Sequence, residues 1–175
     1  MPEILHLTLG PLPNNVYLLG DPATGQAVVI DPSFESEIVL DRAEEKGWQI
    51  RAIWLTHAHF DHIAGAGDIA RACEAPPPIG LHPADAEWYA RAGGAAQFGL
   101  SIPQSPEPTI HFRDGMALRL DEGGPILASV RYAPGHSPGH VMFCCEPLGV
   151  LFCGDVIFRM GVGRTDLAGG DRDAL

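Results

Sequence analysis

Residues 56–62 read Thr56-His57-Ala58-His59-Phe60-Asp61-His62, directly after the apolar run Ile53, Trp54, Leu55. Four metal-capable side chains, His57, His59, Asp61 and His62, fall within these six residues from 57 to 62. No other stretch constrains the chain as much. Neutral imidazoles and carboxylates are ligands for zinc and similar divalent ions. In an extended segment, side chains two apart point to one side, so His57 and His59 can grip one ion together. Asp61 and His62 follow where the chain turns into a helix, and they are expected to face a neighbouring ion. The bland alternative is a solvated polar loop, and such loops rarely stack four donors at this spacing.

Two further segments lie downstream. One is Pro134-Gly135-His136-Ser137-Pro138-Gly139-His140, and the other is Phe152-Cys153-Gly154-Asp155, at the end of the apolar run Val150 to Phe152. With these three motifs in this order the chain resembles the metallo-β-lactamase superfamily of hydrolases. Within it, the glyoxalase II-like (hydroxyacylglutathione hydrolase-like) branch is the most similar. The resemblance runs from the opening strand-turn-strand to Gly163-Arg164-Thr165-Asp166. It implies that His57, His59 and His136 hold a first metal, that Asp61 and His62 hold a second, and that Asp155 bridges both. The implied cofactor is a pair of divalent ions, zinc first, with iron and manganese also compatible with nitrogen and oxygen donors. Bound divalent ions lower the pKa of water toward neutrality and polarise a carbonyl. The implied reaction is therefore hydrolysis of a small acyl thioester or ester resembling S-lactoylglutathione, with Asp61 and Asp155 as the catalytic carboxylates. Lactones and phosphoesters are handled on the same scaffold, and a mononuclear iron enzyme resembling the persulfide dioxygenases is the alternative reading.

No histidine follows His140 in this chain. Full-length members of the family carry one more metal-binding histidine near the C-terminus, so the second site is expected to bind more weakly. Truncation of the chain, donation of the ligand by a second chain and a reduced site would each account for the difference. A truncated end is also expected to leave apolar surface uncovered and to favour a homo-oligomer.

Hydrophobic periodicity predicts strands over Ile4–Leu9, Val16–Leu19, Ala27–Ile30, Ile50–Leu55 and Ile79–Leu81, and further strands from Thr109 to Cys153. Helices are expected over Glu35–Lys46, 62–73 and Ala84–Ala92, with Gly47 placed to stop the first. Residues 93–108, rich in Gly, Pro and Ser, read as a loop. No linker is long enough to split the chain, so residues 1–175 are expected to form one domain. Many strands with helices between them predict an α+β architecture of two packed sheets. The resemblance sharpens this to an αββα sandwich of two mixed sheets with helices outside, missing its C-terminal part.

The net charge of -11 argues against nucleic acid as a partner, since phosphate-backbone binding needs clustered Lys and Arg. No apolar run reaches the roughly eighteen residues of a membrane span, and no secretory signal is apparent, so the expected location is cytoplasmic. Cys73, Cys144, Cys145 and Cys153 contain no C-x-x-C pair and are expected to be core thiols. His140 is expected to support a ligand rather than to be one, Asp31 either to back the histidine loop or to form a turn, and Asn14 and Asn15 to serve a turn. His82 is not expected to ligate. Arg164 and Asp166 are expected to pair and brace the loop after Asp155, with contact between Arg164 and an anionic substrate as the alternative.

Overall fold

The computed structural model describes residues 1–121 and 124–175. Strands β1 (Glu3–Leu9), β2 (Asn14–Asp21) and β3 (Gln26–Ile30) form an antiparallel meander. After helix α1 (Ser36–Glu45), β4 (Gln49–Trp54) adds parallel to β3. Helices α2 (Phe60–Ile63) and α3 (Ala66–Ala72) lead to β5 (Ile79–Leu81), parallel to β4. Helix α4 (Ala86–Ala90) precedes β6 (Ile110–His111), which closes a six-stranded mixed sheet ordered β1 to β6. Strands β7 (Ala117–Leu118), β8 (Ala128–Tyr132), β9 (Val141–Cys145) and β10 (Val150–Phe152) make a four-stranded sheet, antiparallel throughout. A small hairpin of β11 (Ile157–Phe158) and β12 (Gly161–Val162) follows.

The alternation of side chains in the larger sheet explains its two apolar faces. Val16, Leu18, Ala27, Val29 and Ile53 point to one face and pack with Val39 and Ala43 of α1 and Ile69 of α3. Leu19, Val28, Ile30, Ala52 and Trp54 point to the other and meet Val130, Val141, Phe143 and Phe152 of the smaller sheet. A strand buried on both faces needs a continuous apolar run, and Ala27-Val28-Val29-Ile30 is one. The four-stranded sheet is covered on one side only, so it alternates. Val141, Phe143 and Cys145 are buried, whereas Met142 and Cys144 between them are half-exposed.

Three local expectations change. The helix predicted over 62–73 is interrupted at Ala64–Gly65, where the Gly65 N–H donates to the Pro32 carbonyl at 3.0 Å instead of within the helix. The predicted loop at 93–108 opens with 3-10 turns within Ala92–Phe98, kinked where Gly93 and Gly94 take positive φ. The strands expected within 109–132 are shorter, at 110–111, 117–118 and 128–132. Among the described residues no helix is long and apolar enough to cross a membrane.

Candidate metal centre

Parallel strands β3, β4 and β5 all end at one edge of the larger sheet, and the chemistry-bearing residues gather there. In open sheets with parallel strands, ligand sites form beyond the carboxyl ends. Asp31 follows β3, residues 56–62 follow β4, and His82 and Asp85 follow β5. The smaller sheet supplies the rest, with His136 and His140 leading into β9 and Asp155 following β10.

The geometry brings together donors from all three motifs. Ligand-capable atoms of His57, His59 and His136 lie within 4.8 Å of one another, as do those of His57, His62 and Asp155. His59 Nδ1 faces His136 Nε2 at 2.9 Å. His62 Nε2 lies 3.3 Å from Asp155 Oδ1 and 3.6 Å from Asp61 Oδ2, and His136 Nε2 lies 3.5 Å from Asp155 Oδ2. The last three separations are long for hydrogen bonds. They match the roughly 3.3–3.5 Å between neighbouring donors of one tetrahedral ion with bonds of about 2.0–2.2 Å.

Hydrogen bonds on the far side of the His57, His136 and His62 rings turn the other nitrogen inward. The Thr56 hydroxyl donates to Asp31 Oδ2 at 2.7 Å. Its oxygen is therefore left to accept from His57 Nδ1 at 3.0 Å. His57 Nε2 is then the free nitrogen, and it is buried without a protein partner. His136 Nδ1 donates to the Arg164 carbonyl at 2.8 Å, which turns Nε2 toward the cluster. His62 Nδ1 sits 3.1 Å from Asp31 Oδ2. A buried imidazole with one nitrogen tethered and the other unpartnered is what a metal ligand requires, so the donor set fits a divalent ion.

The electrostatics agree. Burial pushes the His57 pKa well below its ordinary value, and the neighbouring His62 and His140 rings add to this. Burial, then His136, brings His59 down to about 4. Burial, then His136, brings His140 down to about 3. These rings are neutral at pH 7, as ligands must be. His62 behaves oppositely. Burial pulls it down, but the Asp155 and Asp31 carboxylates outweigh burial and hold it well above its ordinary value. Burial would raise Asp155, but the facing His62 keeps it at about 2. His62 therefore carries a proton in the metal-free protein, and binding an ion there must displace it.

The supporting residues divide into expected and unexpected. Asp31, with φ of +50°, backs the histidine loop rather than merely turning the chain. It accepts from the Thr56 N–H as well as its hydroxyl. His140 accepts from the Asp155 N–H at 3.1 Å, which places it behind a ligand. Gly154, with φ of +47°, has no space for a Cβ between Thr56 and His140. His82 caps the turn after β5 and stacks on Tyr132, away from the cluster. Arg164 and Asp166 pair through two hydrogen bonds of 2.7 and 2.8 Å.

Three corrections stand beside these. Asn14 does more than turn the chain, since its Nδ2 donates to Asp61 Oδ2 at 2.9 Å. Cys153 is no core thiol. It is half-exposed, lines the cleft and donates to the Ile157 carbonyl. Asp85, expected only as part of a helix, is wholly buried and touches both histidine loops.

The cleft above the cluster has a volume of about 570 Å³. His59, Asp61, His62, His136 and Asp155 lie at its floor, and its walls include Leu12, Tyr17, Trp88, Phe98, Leu100 and Ile157. Gly93, Gln97 and Phe98, from the start of the segment expected as a loop, line this cleft, and Gly93 lies against the backbone of Ala58 and Phe60.

A sandwich of two sheets with this cluster at its strand ends defines a class. The sequence profile of the Metallo-beta-lactamase superfamily matches residues 9–175, and the chain belongs to that superfamily. A probable metallo-hydrolase, YqgX of Bacillus subtilis, is 33% identical over 97% of this chain and 78% of its own length. A hydroxyacylglutathione hydrolase of Thermosynechococcus vestitus is 34% identical over 86% of this chain, which spans only 52% of that protein. Among solved structures, TTHA1623 in a di-iron-bound form is 40% identical with a TM-score of 0.85, over 97% of this chain and 81% of that one.

Proposed function

We propose that this chain is a hydrolase of small acyl thioesters or esters, of the S-lactoylglutathione type, that works with two divalent metal ions. The observation that carries the reading is the convergence of His57, His59, Asp61, His62, His136 and Asp155, of which all but the wholly buried His57 line one cleft. The similarity to hydroxyacylglutathione hydrolases supports the thioester class. When bound, the ions supply hydroxide at neutral pH and an electrophile for the carbonyl oxygen. His57, His59 and His136 would hold the first ion, Asp61 and His62 the second, and Asp155 would reach both. Asp61, oriented by the Asn14 amide, would align the attacking water and take its proton. The apolar walls at Phe98, Leu100 and Ile157 would seat the acyl chain and keep bulk water from it. Arg164 remains committed to Asp166 and braces the loop whose carbonyl orients His136.

Zinc is the first candidate metal. Iron stands beside it because the di-iron TTHA1623 is 40% identical, and an iron-loaded protein that consumes oxygen with glutathione persulfide would favour the dioxygenase alternative. The test of the hydrolase reading compares S-lactoylglutathione, an acyl-lactone and a β-lactam on protein loaded with zinc or with iron. Thioester cleavage is expected to dominate. Metal-loaded protein inert toward all three substrates would overturn the reading.

A further inference from the structure

The structure assigns to Asp85 the role of a positioning residue that locks the His57–His59 loop to the His136 loop and so sets the geometry of the first metal position. Asp85 is fully buried, with no exposed surface. It has no cationic partner among the described residues. Its charge is met instead by three hydrogen-bond donors. Oδ2 accepts from the Ala58 N–H at 3.0 Å and from the Ser137 hydroxyl at 2.7 Å, and Oδ1 accepts from the Gly139 N–H at 2.6 Å.

Two of the three donors are one link from a candidate ligand, and the third adjoins the supporting His140. Ala58 separates His57 from His59, Ser137 follows His136, and Gly139 precedes His140. The two loops are almost eighty residues apart in sequence, and His59 and His136 must meet at 2.9 Å, a pair separated by 77 positions. One carboxylate thus spans both loops directly behind the rings that converge in front.

The arrangement also accounts for residues that nothing else explains. A Cβ on Gly139 would fall 2.7 Å from the Asp85 backbone nitrogen and 2.8 Å from its carboxylate, so only glycine permits the approach. The serine of the His136 motif is buried, and its hydroxyl has this carboxylate as its acceptor. Hydrogen bonds to a buried charge are short and strong, and removing the acceptor leaves several donors unsatisfied.

An asparagine at 85 is nearly isosteric, yet it must present an N–H₂ group to one of the donor sets. The test is therefore Asp85→Asn, with zinc alone titrated into the metal-free protein against a chelator. Cobalt substitution adds an absorption signature of ligand geometry, and the melting temperature of the metal-free form is followed in parallel. Affinity for the tighter ion is expected to fall about 10- to 100-fold, the usual cost of losing a partner behind the ligands, and the cobalt spectrum is expected to change. A variant that melts lower but binds zinc as tightly, with an unchanged cobalt spectrum, would show that Asp85 serves only the fold. Should Asp85→Asn not fold, Ser137→Ala decides the matter, since it removes one donor and keeps the carboxylate. A loss of about twofold to tenfold in zinc affinity supports the role, and unchanged affinity overturns it. The inference rests on the metal reading of the site, and the two fail separately. Wild-type protein that takes up no zinc or cobalt would sink that reading, whereas wild-type binding unaltered in the variants sinks only the role of Asp85.

Discussion

The two halves of the candidate metal centre are built on different plans. The half formed by His57, His59 and His136 is made of imidazoles, each buried. It is held from behind by Thr56, by the Arg164 carbonyl and by the Asp85 carboxylate. The half formed by His62, Asp61 and Asp155 faces the cleft. The side chains of Asp61 and Asp155 keep 15% and 27% of their surface, and the one buried ring lies between the Asp31 and Asp155 carboxylates. In the first half His57 and His59 resist protonation, whereas in the second the Asp155 and Asp31 carboxylates favour the protonated form of His62. An ion entering the first half loses little to reorganisation, and an ion entering the second must expel a proton. On the proposed two-metal reading, this asymmetry would give the first position the tighter ion and the second the substrate-facing work.

Four measurements would break or sharpen that contrast. The largest effect is expected from His136→Ala. Loss of this imidazole should weaken the tighter ion by more than the about 10- to 100-fold that an outer partner costs, with activity falling in step, as equilibrium dialysis would show. Asp31→Asn comes next. It removes an acceptor from Thr56 and from the protonated His62, so the weaker ion should lose about 10- to 100-fold while the tighter one loses less. Equal losses at both positions would erase the distinction between the halves.

The third measurement is pH. In the metal-free protein His57, His59 and His140 resist protonation, so below pH 6.5 the unfolded chain binds protons that the folded one refuses. Stability should therefore fall as pH drops from 6.5 toward 4. His62 has a raised folded pKa, so its contribution is complete below 6.5 and is lost as pH rises through that folded value. Melting of the metal-free protein should accordingly peak near pH 6.5, and a melting temperature that climbs steadily toward pH 4 would contradict the neutral-ring half. The smallest effect is expected from Asn14→Ala, which frees Asp61 from its amide partner. It should lower kcat about tenfold or less and leave the tighter ion in place.

What the amino-acid sequence made legible follows from distance along the chain. The donors of residues 57–62 announce themselves because two-residue and one-residue spacing on a strand end fixes their directions. His136 and Asp155 were legible through the resemblance that their motifs carry. The strands β2 to β5 were readable from apolar runs, since both faces of their sheet carry buried residues, whereas β1 was readable from the alternation that leaves His6 and Thr8 exposed. Asn14 was misread because its partner Asp61 lies 47 residues away. Asp85 escaped notice for the same reason, with its three donors 27 to 54 residues distant. The only local hint was the serine and glycine around His136, which need a neighbour that the local pattern does not name. The 3-10 turns within Ala92–Phe98 were hidden by Gly93 and Gly94, which mark a loop in most settings and here take positive φ beside the histidine loop.

The central claim is that one pocket holds two unequal cation positions. Zinc titration of the metal-free chain, followed by calorimetry and checked by elemental analysis, tests it most directly. The account predicts one tightly held ion per chain and a second, weaker one whose uptake releases a proton at neutral pH. Two ions of equal affinity, or no ion at all, would contradict it.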